Sequence, residues 1–138
     1  MKNIVACCLG AVIYFSTPTL EQAILGAQSD STPKVVKIGA AAPADAPVKE
    51  VEITAKKYEF NPSSLEVPLH TLVKIHLKAA DREHGFEFKG IKESCVKFSP
   101  GETVTIEYFA DKTGNFEFGC CKYCGLGHGK MKGTLVVK

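Results

Sequence analysis

"GNFEFGCCKYCGLGHGKMKGTLVVK", residues 114–138, reads as two short β-strands joined by a loop crowded with soft metal ligands. "GNFEFG" alternates polar and apolar residues, and "KMKGTLVVK" closes on a β-branched run, so both ends carry strand signals. Between them Cys120, Cys124, His128 and Met131 follow the spacing Cys-x3-Cys-x3-His-x2-Met. Thiolate and thioether suit reduced copper, while imidazole suits both of its oxidation states. A loop tied to a sheet at both ends holds such ligands nearly fixed while the charge of the metal changes. The glycines within the loop permit the turns needed to aim several side chains at one point.

Working outward, the same texture extends back to about Lys49. "VEITAKKYEF", "SLEV", "TLVKIHLKAA", "HGFEFKG", "CVKF" and "TVTIEYFA" are short runs with a period of two, separated by Pro, Gly, Asn or Asp turns. In "TLVKIHLKAA" Val73, Ile75, Leu77 and Ala79 fall on one face, and Leu72, Lys74, His76 and Lys78 on the other. About seven or eight such strands, with no sustained helical period, predict an all-β antiparallel sandwich over residues 49–138. Residues 28–48 are rich in Ser, Pro, Ala and Thr and read as a flexible linker. Residues 1–27 open with a basic Met1-Lys2-Asn3, continue through the apolar "IVACCLGAVIYF" and end at Ala27, the pattern of a secretory signal peptide. Retained instead of cleaved, the segment would be an anchor, and only then would the chain engage a membrane. The predicted location is periplasmic or otherwise exported.

The formal net charge is +2, and loss of residues 1–27 would remove one Lys and one Glu and leave it unchanged. That gives no basic footprint for nucleic acid. Of the six cysteines, Cys7 and Cys8 lie in the leader, and three of the other four crowd into five positions, where clustering with His and Met points to metal. A further nitrogen ligand is wanted. His84, in "DREHGFEF", sits where a polar turn meets the start of a strand and is the candidate. His76 alternates with lysines and His70 lies in a turn, so both read as surface residues.

The paired motifs "DREHGF" and "CCKYCGLGHGKM" resemble the binuclear CuA site of cytochrome c oxidase subunit II and nitrous-oxide reductase. The surrounding strands resemble the cupredoxin Greek-key sandwich that carries it. The resemblance implies two copper ions bridged by the thiolates of Cys120 and Cys124. It further implies His84 and His128 as one ligand to each ion, Met131 as a weak ligand and the backbone carbonyl of Lys122 as another. The implied function is electron transfer and not bond-making catalysis, with a redox donor and a redox acceptor as partners. Lys122 stands where oxidases usually carry an acidic residue, a change that a carbonyl ligand tolerates.

Several readings stay open at this level. Cys124, His128, Met131 and His84 could form a mononuclear blue-copper site, leaving Cys120 unexplained. Two Cys and two His could hold structural zinc, leaving Met131 unexplained. The same ligands could deliver copper to another protein. Cys95 and Cys121 lie outside the family pattern; they are free thiols or a disulfide with one another, or Cys121 competes for copper. Lys122, Lys130 and Lys132 surround the small uncharged surface beside His128, which suggests a partner with an acidic docking face.

Overall fold

The computed structural model describes residues 32–138; the segment expected to direct export, 1–27, lies outside them. The described residues form ten strands: β1 (Lys34–Ile38), β2 (Val48–Lys56), β3 (Glu59–Asn61), β4 (Ser64–Val67), β5 (Leu72–Ala79), β6 (His84–Phe88), β7 (Val96–Phe98), β8 (Thr103–Phe109), β9 (Gly114–Gly119) and β10 (Lys132–Val137). They form two five-stranded sheets, ordered β1-β8-β5-β2-β3 and β4-β10-β9-β6-β7. The expected all-β sandwich is what the chain builds.

Strand direction differs from the expectation in three places. β1–β8, β2–β5 and β4–β10 pair in parallel, and the remaining pairs are antiparallel. Between β2 and its parallel neighbour β5 the chain makes β3 and then crosses to the other sheet for β4. Such a crossover is what a parallel pair requires, and side-chain alternation is the same in either direction. Strand β1 is a second correction, because it lies inside the stretch read as linker. Its register runs from Lys34 opposite Val104 to Ile38 opposite Tyr108. Ile38 is buried, and pairing with β1 satisfies the backbone edge that β8 would otherwise present.

The core lies between the sheets. Along β5 the expected face is the buried one, with Val73, Ile75 and Leu77 inaccessible to solvent. Phe86 and Phe118 stack with ring centroids 5.0 Å apart, and Phe60 and Phe88 meet Phe86 edge-on at 5.8 and 5.3 Å. These rings flank the segments that carry the candidate ligands. Phe86 follows His84 by two residues, and Phe118 precedes Cys120 by two, so one aromatic cluster supports both parts of the site.

Candidate metal centre

His84 is the first residue of β6, and the β9–β10 connection supplies Cys120, Cys124, His128 and Met131. The antiparallel register that sets Glu87 opposite Gly119 brings the start of β6 beside the root of that connection. A ring nitrogen of His84 and the sulfurs of Cys120 and Cys124 lie within 4.8 Å of one another, all on buried residues. Cys124 Sγ is 3.9 Å from Cys120 Sγ, 3.9 Å from His128 Nδ1 and 3.9 Å from Met131 Sδ. The Cys120 thiol donates to the Lys122 carbonyl oxygen at 3.0 Å. All six residues implied by the motifs therefore converge on one small volume. His70 and His76 do not take part: His70 is exposed, and His76 bonds Thr105 Oγ1 through Nδ1 at 2.9 Å.

The donor set fits a soft metal. Among the described residues, His84 Nδ1 is the one buried side-chain nitrogen or oxygen without a hydrogen-bond partner. An orphaned buried nitrogen is costly unless something occupies its lone pair. The other ring nitrogen, Nε2, lies 2.7 Å from Asp81 Oδ1, which favours the tautomer with the proton on Nε2 and the lone pair on Nδ1. Partial burial works to raise the Asp81 carboxyl pKa, but the His84 hydrogen bond and the Lys57 amide outweigh it, and the net shift is downward. Burial first, and then the neighbouring Cys120, push the Cys124 thiol up, while Arg82 pulls the other way. The Cys124 sulfur, in a poorly solvated space, favours its protonated form until a cation replaces the proton.

Residues 81–84 act as a clamp over the loop. Asp81 Oδ2 accepts the Lys57 amide at 3.0 Å, Arg82 Nη1 donates to the Cys124 carbonyl at 2.8 Å, and Glu83 pairs with Lys122 Nζ at 3.1 Å. The D-x-x-H pattern pointed to His84; the tasks of Arg82 and Glu83 depend on partners about forty positions along the chain, which no local signal carries. Tyr58 was also missed. Its ring lies across Gly125 and Gly127, so close that a Cβ on Gly127 would stand 2.3 Å from it.

Cys95 and Cys121 are joined in a disulfide that ties the loop to the residue before β7. Of the readings open for these cysteines, the structure selects this one. Cys121 Sγ packs against Gly85, where an added Cβ would come within 2.5 Å, and Cys120 and Cys124 remain as the free thiols. The backbone amide of Gly85 points at Cys120 Sγ from 3.5 Å. Outside the clamp, Leu126 is 99% exposed, Tyr123 is 68% exposed, and the Tyr123 ring lies 5.8 Å from that of His128. The lysines nearby are largely compensated: Lys122 by Glu83 and Lys132 by Glu117 at 3.2 Å.

Comparison with known proteins agrees with this architecture. Cytochrome c oxidase subunit 2 of Thermus thermophilus is 35% identical over 88 residues, covering 64% of this chain and 64% of that protein. A second subunit 2 from the same species matches at 35% identity and is covered over 52% of its length, so the chain spans between about half and two thirds of these relatives. The periplasmic domain of cytochrome oxidase subunit II from Bradyrhizobium japonicum superposes with a TM-score of 0.56 at 20% identity, over 70% of this chain and 86% of that one. Auracyanin A, a blue copper protein from Chloroflexus aurantiacus, superposes with a TM-score of 0.55 at 18% identity, over 66% of this chain and 99% of that one. The family model described as a cupredoxin-like domain matches residues 25–137, and with most of its length inside that match, the chain belongs to the cupredoxin-like family.

Proposed function

We propose that this chain carries single electrons outside the cytoplasm through a binuclear CuA-type copper centre. His84, Cys120, Cys124, His128 and Met131 would hold the two ions through their side chains, and Lys122 through its backbone carbonyl. The observation that carries the reading is the orphaned Nδ1 of His84, buried and set among two free thiols, with a second imidazole and a thioether completing the donor set. A mononuclear site would leave the Cys120 sulfur without a task, and zinc would leave Met131 without one. Copper bound there would supply a one-electron couple.

The residues of the chain do the rest. Asp81 fixes the His84 ring, the disulfide and Tyr58 hold the loop, and Phe86 and Phe118 make its floor dry and stiff. Rigid ligands need little rearrangement when charge changes, which keeps the barrier to electron exchange low. The near-complete burial of His84, Cys120, Cys124 and Met131 favours a retained centre over a copper donor. The partner is a redox protein that docks over Leu126 and Tyr123 beside His128. An acidic face on it would meet Lys130, the loop lysine with no carboxylate partner among the described residues.

Reconstitution with copper, followed by metal analysis and electron paramagnetic resonance, tests this. Two coppers per chain with a seven-line hyperfine pattern are expected. One copper with a four-line spectrum would replace the proposal with a mononuclear carrier. Rapid loss of copper to an acceptor protein would favour delivery.

A further inference from the structure

We infer that Arg82 is a positioning residue that tunes the reduction potential of the centre, holding a positive charge against the backbone of Cys124 without an ion pair among the described residues. This rests on the copper reading above. Arg82 Nη1 donates to the Cys124 carbonyl oxygen at 2.8 Å, a contact shielded in part from solvent although the residue itself lies at the surface. The hydrogen bond fixes where the charge sits. An unanchored surface cation would average its position over a wide volume and act weakly.

The neighbouring charges distinguish Arg82 from the paired lysines, and its hydrogen bond distinguishes it from Lys130, whose side chain has neither a carboxylate nor a hydrogen-bond partner among the described residues. Lys122 is held by Glu83, Lys132 by Glu117 and Lys89 by Glu87, so each of these presents a dipole to the centre. Arg82 forms no ion pair among the described residues. The adjacent Asp81 carboxylate is committed, one oxygen to His84 Nε2 and the other to the Lys57 amide.

The sign of the effect follows from charge. A centre that gains an electron becomes more negative, so a fixed cation at its edge favours the reduced state and raises the potential. Arginine suits the position because its fork can hold a carbonyl while staying charged at any working pH. Exposure to solvent makes the effect sensitive to salt.

The test is the reduction potential of the copper-loaded wild type, R82Q and R82K at low and high salt, with amide hydrogen exchange of residues 120–128 in the metal-free proteins. R82Q should shift the one-electron equilibrium roughly three- to tenfold toward the oxidised state, tenfold being about 59 mV for one electron. R82K should recover most of that shift, and high salt should shrink the gap. Equal potentials for wild type and R82Q would overturn the inference. So would R82K shifting as far as R82Q with equally faster exchange, because a lost hydrogen bond alone would then account for both. A wild type that binds one copper would overturn the two-copper reading while leaving this comparison intact, since Cys124 is a ligand in either case. Should R82Q fail to hold copper, the wild type decides alone: a potential that falls as salt rises supports the charge, and one independent of salt refutes it.

Discussion

Asp81 bridges the two elements that flank the ligand loop: one carboxylate oxygen lies 2.7 Å from His84 Nε2, and the other accepts the Lys57 amide at 3.0 Å. The orientation of the His84 imidazole is thereby coupled to the hairpin that carries Tyr58. Substitution D81A should leave the sandwich folded, because the side chain contributes nothing to the core. It should free the His84 ring and lower copper affinity by roughly 10- to 100-fold, the usual cost of losing a partner that orients a ligand. Competition with a chelator of known affinity measures this. Wild-type affinity in D81A would show that packing alone, including Phe98 at 6.5 Å, fixes the ring.

The Cys95–Cys121 disulfide closes a loop with a sequence separation of 26. Loop-closure entropy for that length corresponds to about 3.5 kcal/mol of stability. The double variant C95S/C121S should lose about that much in denaturant melts of the metal-free protein, yet still form the same copper spectrum. The single variant C95S should behave differently. It leaves a free Cys121 next to Cys120, so its copper spectrum should become heterogeneous. Identical spectra for the single and double variants would mean that Cys121 never reaches the metal.

The clustering of the candidate ligands was largely legible because five of the six implied residues come from one connection, and spacing within a single loop is a local property. His84 could be picked from three histidines because it stands at the junction of a polar turn and a strand. The sandwich was legible from alternation, which records burial on one face. Alternation says nothing of pairing direction, so the parallel pairs were hidden, and Lys34–Ile38 looked like linker because only Ile38 of that strand is buried. The contacts of Arg82 with Cys124 and of Cys95 with Cys121 join residues distant in sequence; they follow from the completed fold and have no periodic trace.

Two loop glycines should respond in opposite ways to alanine. A Cβ at Gly127 would meet the Tyr58 ring at 2.3 Å, whereas one at Gly129 meets nothing within 4 Å. G127A should cost about 1–3 kcal/mol, as overpacking usually does, and should displace Tyr58 from the loop. G129A should stay within about 0.5 kcal/mol of the wild type. Thermal melts of the two variants make the comparison, and equal stabilities would show that Tyr58 swings away freely.

Tyr108 lies between Phe88 and Phe116, with centroids at 4.8 and 5.8 Å. Burial first, then Asp111, push its phenol above the ordinary value. The unfolded chain therefore ionises this group at a lower pH than the folded protein does. Its contribution to stability is complete below about pH 10 and is lost as pH rises through the higher folded value. The stability difference between wild type and Y108F, measured in urea, should be flat to about pH 10 and then decline. A constant difference at higher pH would mean that the phenol ionises equally in both states.

The surface beside His128 is apolar at its centre and nearly neutral around it, because Glu83 and Glu117 each occupy a loop lysine. Steering by charge accelerates encounter by at least ~10-fold where fields are strong, and compensated pairs produce no such field. Electron exchange with a small redox protein should therefore vary by less than ~10-fold between low and high salt. The variant E83Q/E117Q releases Lys122 and Lys132. It should exchange faster with an acidic partner, more slowly with a basic one, and show a steep salt dependence in both cases. Stopped-flow rates against ionic strength decide the matter. A steep dependence in the wild type would place the field in charges other than these pairs, with Lys130 and Arg82 the first to substitute.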